Sequence, residues 1–266
     1  MHNVEIVKCL SIIDGFRILQ YNGCMNLRGG VLYLGDEISI NQLEGGNEMH
    51  LNVVNLGRCE YEKALQVQIE LLEKRQRGEI EDTLILVEHP PVITKGRHAD
   101  ETNIIGSEAS LINHGIQLFN TDRGGDVTYH GPGQIVGYPI VNIRKSKIGV
   151  KKFVENLEEV LIRLLDEKYH ITATRSSVNP GVWVGANKIA AIGLAVKRGV
   201  SMHGFALNVS TNLAHFKFLV PCGIADRGVT SIEEILGYPV DFHVANQHVL
   251  AYFSEVFNYD IIETVE

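Results

Sequence analysis

The sequence predicts an α/β (α+β) fold, a mixed β-sheet flanked by helices. Two observations predict it. From Met49 onward, short apolar runs alternate with amphipathic helical segments, and no internal repeat, low-complexity tract or linker interrupts them. The 266 residues, 45% hydrophobic and 21% charged, are also enough to bury a substantial core. Twenty-six Gly, 7 Pro and 4 Cys exclude collagen-like, disulfide-rich and broadly disordered classes.

The elements follow in order. Leu51–Leu56 reads as a strand, and Tyr61–Arg77 as an amphipathic helix stopped by Gly78. Thr83–Glu88 is an apolar run suited to a buried strand, halted by Pro90-Pro91. Ser107–His114 is predicted helical and Gln117–Asn120 extended. Gln134–Ile143 reads as a strand. Val150–Tyr169 reads as a long helix with Phe153, Leu157, Val160, Leu161, Leu164 and Leu165 on one face. Gly181–Val184 and Ile189–Val196 flank Gly185-Ala186-Asn187-Lys188, which has the turn chemistry of a hairpin. Met202–Val209 adds a strand. Thr230 or Ser231 caps a short helix ending at Gly237, and Asp241 caps one running to about Phe257.

Residues 1–48 read differently. Tyr21–Gly30 shows neither a sustained helical nor a strand period, and no basic and apolar signal sequence is present. Glu44-Gly45-Gly46 back-translates into a purine-rich, ribosome-binding-like stretch just before Met49. The expected division is therefore 1–48 as an extension, disordered or a mis-assigned start, and 49–266 as a single catalytic domain. Without the extension the net charge falls in magnitude from −8 to about −5. A peptide from residues 1–48 in the native protein would refute a start at Met49.

The acidic balance argues against a nucleic-acid partner. No apolar run reaches about 18 residues, so no membrane span is expected. Cys9, Cys24, Cys59 and Cys222 form no C-x-x-C pair and have no His at ligand spacing, so no metal site is expected. Scattered thiols without a signal sequence suit a reducing cytoplasm.

Three stretches could carry chemistry. Arg123-Gly124-Gly125-Asp126-Val127-Thr128-Tyr129-His130 leads into Gly131-Pro132-Gly133. Its glycines permit close approach of a ligand to the backbone, and its polar side chains supply donors, acceptors and a titratable ring. It fits neither a P-loop nor G-x-G-x-x-G, and a Gly-rich hairpin with solvated polar residues is the plainer reading. In the second stretch, small residues (Ala190, Ala191, Gly193, Gly204, Ala206) leave room beside a sheet. Ile192, Leu194 and Phe205 supply apolar walls. The slot suits an alkyl chain, at roughly 0.8 kcal/mol per buried methylene, although core packing explains most such strands. Lys188 sits at the predicted turn, where lysines are usually solvated; turned into an apolar site it would become a usable base. The third is Leu219-Val220-Pro221-Cys222-Gly223-Ile224, which puts Cys222 on a shaped loop. Beside a cation its thiol could act as a nucleophile.

Together, Arg123–Gln134, Lys188–Asn208 and Pro221–Ile232 resemble the signatures of the lipoyl(octanoyl) transferase family, in that family's order and near its spacing. Asn55-Leu56-Gly57 followed by a Tyr-containing helix is similar to the start of its domain. The resemblance covers roughly 52–257. It implies the fold of biotin and lipoate protein ligases. It also implies transfer of an octanoyl group from octanoyl-acyl carrier protein to a lysine of lipoyl domains, those of 2-oxoacid dehydrogenase E2 subunits and the glycine cleavage H protein. Cys222 matches the acyl-thioester nucleophile, and Lys188 the lysine that lowers its pKa and shuttles protons. Substrate contacts carry over to Arg123, Gly124, Gly125, Asp126, Val127, Thr128, Tyr129 and His130, to Ala191, Ile192 and Gly193, and to Gly204, Phe205 and Ala206. No cofactor, ATP or metal is implied, since the acyl group arrives on the carrier's phosphopantetheine. His130 and His203 are lesser candidates for the base, expected instead to position substrate.

Arg144–Lys152 holds five basic residues in an acidic chain, an expected dock for the acidic carrier, although charge runs are usually solvated. The competing readings are an ATP-dependent lipoate or biotin ligase of the same fold, a non-catalytic lipoyl-domain binder and a cysteine thioesterase.

Overall fold

The computed structural model describes residues 8–13, 16–21, 49–145, 148–176, 180–220 and 228–264. Strand β3 (His50–Arg58) leads into helix α1 (Tyr61–Arg77), preceded by β1 (Lys8–Ile13) and β2 (Phe16–Tyr21). Helix α1 buries Tyr61, Ala64, Gln68, Leu72 and Arg75, a stripe at spacings of three and four. It stops at Gly78, whose φ of +74° carries no steric cost in glycine. In β4 (Asp82–Glu88), Leu84 and Leu86 face one core cluster while Ile85 and Val87 face another. Both faces of the strand are covered, which is why it reads as an unbroken apolar run.

A smaller unit follows: β5 (Val92–Lys95), α2 (Glu108–Asn113), β6 (Gln117–Asn120) and β7 (Val127–His130). Its strands form a three-stranded sheet in the order β6-β5-β7, with Leu111 of α2 in a core with Ile93 and Tyr129. The chain returns to the main sheet as β8 (Gln134–Ile140), then builds α3 (Val150–Tyr169), β9 (Thr174–Arg175), β10 (Gly181–Val184), β11 (Asn187–Lys197) and β12 (Val200–Asn208). It closes with α4 (Ile232–Leu236), α5 (Phe242–Phe257) and β13 (Ile261–Thr264). Ser231 Oγ caps α4 and Asp241 Oδ1 caps α5, each accepting from backbone N–H groups of its first turn.

The main sheet runs β1-β2-β13-β3-β4-β8-β12-β11-β10-β9. The pairs β2–β13, β13–β3 and β3–β4 are parallel and the others antiparallel, so the sheet is mixed as expected. Helix α1 covers one face, while α3 and α5 pack together on the other.

Four features differ from the sequence-based expectations. Strands β1 and β2 lie within the segment 1–48, expected as an extension, disordered or a mis-assigned start, and stand in the main sheet beside β13. Strand β5 is only four residues long and follows two prolines, and β7 lies inside the Gly-rich run, so neither shows a period. Strand β8 ends at Ile140, not Ile143, because the chain turns there, with Lys145 N–H donating to Asn142 O. Finally, the ladder between β12 and β8 lapses between Phe205 and Val200. Phe205 lies opposite Gly137 and Val200 opposite Asn142, a register that puts His203 across from Pro139. Proline offers no N–H there. Pro139 O accepts from Ser201 Oγ at 2.7 Å instead, and the His203 N–H turns to Gln68 Oε1 of α1 at 2.9 Å. His203 takes a φ of +55°, uncommon for any residue but glycine.

Candidate active site

Strands β11 and β12 form one wall of a pocket of about 550 Å³. Its rungs are Ala191–Ala206, Ile192–Phe205, Gly193–Gly204 and Leu194–His203. Two of the glycines are there for space. A Cβ on Gly204 would fall 2.0 Å from Gly137 O, and one on Gly193 would fall 3.0 Å from Gly124 O. The opposite wall is the run 123–130. All of its residues but Tyr129 line the pocket, as do all of 191–193 and 204–206. Three stretches far apart in the chain therefore meet at one cavity. Tyr129 is the exception among the expected contacts: it is fully buried beneath the site, its hydroxyl 2.8 Å from His215 Nδ1.

The Gly-rich wall is held by hydrogen bonds across the chain. Arg123 is buried and donates from Nε and Nη2 to Thr94 Oγ1 (3.1 and 3.0 Å), and from Nη2 to Thr94 O (2.6 Å). It ties the loop to β5 through its own charge. The Gly124 N–H donates to Leu194 O at 2.7 Å, pinning the loop to β11, and Gly96 N–H donates to Asp126 O at 3.0 Å. Asp126 itself accepts from Asp100 N–H and Asn103 Nδ2.

Lys188 occupies the near end of the slot. It is not on the turn, where the sequence puts it, but on β11, and it is only 5% exposed. Its Nζ is 3.5 Å from Pro180 O and 4.8 Å from the centre of the Trp183 ring. A small recess lined by Lys188, Gln134 and Asn208 shares Thr128, Ala191 and Ala206 with the larger pocket. Backbone pairing fixes what lies beside it: Lys188 N–H donates to Gly228 O, and Thr230 N–H to Lys188 O. Cys222 lies outside the described residues. The chain before it is tied down by Val220 N–H donating to Asn103 O, and the chain after it runs alongside Lys188.

A polar chain underlies the site that the sequence did not single out. His130 Nδ1–H donates to Gln134 Oε1 (2.8 Å), Gln134 Nε2 to Asn208 Oδ1 (2.8 Å), and Asn208 Nδ2 to Thr230 O (2.9 Å). It runs from the pocket wall to the strand segment beside Lys188. Its signal was amide side chains at otherwise apolar strand positions, Gln134 opening β8 and Asn208 closing β12. Burial, with His89 nearby, pushes His130 down to about 3, so its ring is neutral and Nε2 is an acceptor. Burial likewise lowers His89 to about 4, and raises Tyr61 to about 12. Neither histidine suits a base working near neutral pH, in keeping with a positioning role.

Among the described residues no cluster of His, Cys, Asp or Glu could hold a metal ion, and no helix is long and apolar enough to cross a membrane.

The family model for the lipoyl protein ligase A/B catalytic domain matches residues 60–254. Octanoyltransferases of Desulforamulus reducens and Caldicellulosiruptor saccharolyticus are 49% and 52% identical, over 80% and 79% of this chain and 93% and 89% of their own. Among solved structures, lipoate-protein ligase A bound with ATP has a TM-score of 0.63 at 16% identity, covering 82% of this chain and 90% of that one. The bi-partite lipoate protein ligase of Thermoplasma acidophilum has a TM-score of 0.63 at 16% identity, covering 82% and 88%. At such identity these two likenesses concern the fold alone. The matched domain spans most of the body built on β3 to α5, and by that match the chain belongs to the lipoyl protein ligase A/B catalytic domain family.

Proposed function

We propose that this protein is an octanoyltransferase of protein lipoylation, acting in the cytoplasm without ATP or metal. The observation that carries the reading is the slot floored by Ala191, Gly193, Gly204 and Ala206, which opens at one end onto the recess of a buried Lys188. Half-identity to octanoyltransferases supports the acyl group.

The chemistry follows from the residues. The Cys222 thiolate attacks the carbonyl of octanoyl-acyl carrier protein. The bond from that carbonyl to the phosphopantetheine sulfur breaks, and the departing thiolate takes a proton from Lys188. One thioester replaces another, so no activation by ATP is needed. A lysine amine of a lipoyl domain then attacks the acyl-enzyme and gives its proton to Lys188. The bond to Cys222 Sγ breaks as the amide forms. A backbone carbonyl oxygen and the face of the Trp183 ring lie beside Nζ and orient it towards the recess.

The donor's acidic carrier docks at the start of α3. Lys145, Lys151 and Lys152 are 70%, 93% and 63% exposed there, while Val150 and Val154 of the same helix line the pocket. Lys147 lies outside the described residues.

Intact-mass analysis after mixing with octanoyl-acyl carrier protein, ATP omitted, tests the reading. One octanoyl group is expected on the native protein and none on Cys222→Ala, and addition of a lipoyl domain should move the group to that domain. An absolute need for ATP and free octanoate would mark a ligase instead. Release of free octanoate in the presence of a lipoyl domain would mark a thioesterase.

A further inference from the structure

His203 is an anomaly at the far end of the slot. It is 1% exposed, yet it lines the pocket. The four rungs from Ala191–Ala206 to Leu194–His203 span roughly 10 Å at the rise of a strand, and His203 stands on the last of them, remote from the Lys188 recess. Every other side chain on those rungs is apolar or absent.

Its ring is fixed in place. His203 Nε2–H donates to Asp122 Oδ1 at 2.7 Å, and the second oxygen of Asp122 pairs with Lys197 Nζ at 2.6 Å. The backbone below is bent to φ +55° by Pro139 across the sheet and held by Gln68. With Nε2 carrying the proton, Nδ1 of the neutral ring is an acceptor, and it has no hydrogen-bond partner among the described residues. Burial keeps the ring neutral against the pull of Asp122.

We infer that His203, positioned by Asp122, is the stop that limits acyl length, ending the run of small and apolar residues on β11 and β12 in a polar ring. The inference rests on the proposed acyl transfer and refines it. Methylenes lying over Ala191, Gly193, Gly204 and Ala206 gain hydrophobic stabilisation. A longer chain would meet the His203 ring, where further methylenes have no apolar surface to bury against. It could advance only by displacing a ring that a carboxylate, a lysine and a bent strand hold still. His203 thus acts on the acyl tail and not on the reacting carbonyl, since six strand residues, roughly 20 Å, separate Lys188 from Leu194 on the same strand.

The test is competition between octanoyl and dodecanoyl carrier protein for loading onto the enzyme, read by intact mass. The native protein should favour octanoyl. His203→Leu should raise the dodecanoyl-to-octanoyl ratio by about tenfold or more, each newly buried methylene being worth about fourfold. Leucine is disfavoured at φ +55°, so His203→Asn, which tolerates that backbone and is shorter, should shift the ratio the same way. Asp122→Asn, at the loop surface, should do so to a smaller degree. An unchanged ratio in folded variants, equal loss of both donors, or a native enzyme indifferent to length would overturn the inference. No loading of the native protein by any donor would instead overturn the proposed function.

Discussion

Lys188 and His203 mark the two ends of one slot, and their partners are of opposite kinds. Lys188 has a backbone carbonyl and an indole ring beside its Nζ. His203 is locked to a carboxylate, and that carboxylate to the cation of Lys197. Partial burial would raise Asp122, but hydrogen bonds from His203 and Lys197 outweigh it and bring the group down to about 2. The contrast sets a nitrogen beside a carbonyl and an aromatic face against a ring oriented by a carboxylate. In the proposed reading the chemistry belongs to the Lys188 end and the choice of acyl length to the His203 end.

The largest expected effect is at the first end. Lys188→Ala keeps the backbone bonds to Gly228 and Thr230, so it should fold, yet load octanoyl about a hundredfold or more slowly near neutral pH. A time course by intact mass measures this, and an undiminished rate would remove Lys188 from the chemistry.

Next comes the rigid end. Gly204→Ala puts a Cβ 2.0 Å from Gly137 O and 2.6 Å from Pro139 Cδ, so backbone must shift. A loss of about 1–3 kcal/mol in urea unfolding is expected. Full stability would mean that β8 and β12 yield more easily than their packing implies.

A pH profile tests the buried rings between the ends. Ordinary histidines titrate near 6.5, whereas His89 is held at about 4 and His130 at about 3, among Tyr61, Tyr138 and Arg123. The unfolded chain therefore takes up protons that the folded one refuses, and stability falls as pH drops from about 6.5 towards 4. The contribution of Asp122 has the same sign but is lost lower, as pH falls from about 4 towards 2. His130→Gln should flatten the upper part of the decline in urea midpoints; an identical slope would argue that this ring does not stay neutral.

The smallest effect belongs to the rim. Lys151→Glu with Lys152→Glu should raise KM for carrier-bound donor severalfold at low salt and leave a small octanoyl thioester untouched. Glu155 already pairs weakly with both lysines, at 4.0 and 3.9 Å, which limits the change. Equal impairment of both donors would end the docking idea.

Much of this was legible in the chain. Tyr61–Arg77 and Val150–Tyr169 have the bounds their apolar stripes and flanking residues predict, because helix ends are written locally. The slot was legible too, as small residues at paired strand positions. What escaped depends on partners distant in sequence. Lys188 looks like a turn residue until Gly228 and Thr230 are seen to pair with it. Gln68 looks like one polar residue of an amphipathic helix, yet it is fully buried to receive the N–H of His203, 135 positions away. Asp122 reads as the prelude to a Gly-rich run and not as the anchor of a ring 81 positions on.

Pro139 shows how a fabric of strands tolerates a dropped stitch. Knitted along every row, ten strands form a barrier with nothing to enter. Where one residue cannot supply a stitch, its neighbour falls away for a few rows, and a helix reaches in to catch the loose thread. The loose row is thereby secured from outside the sheet, by Gln68.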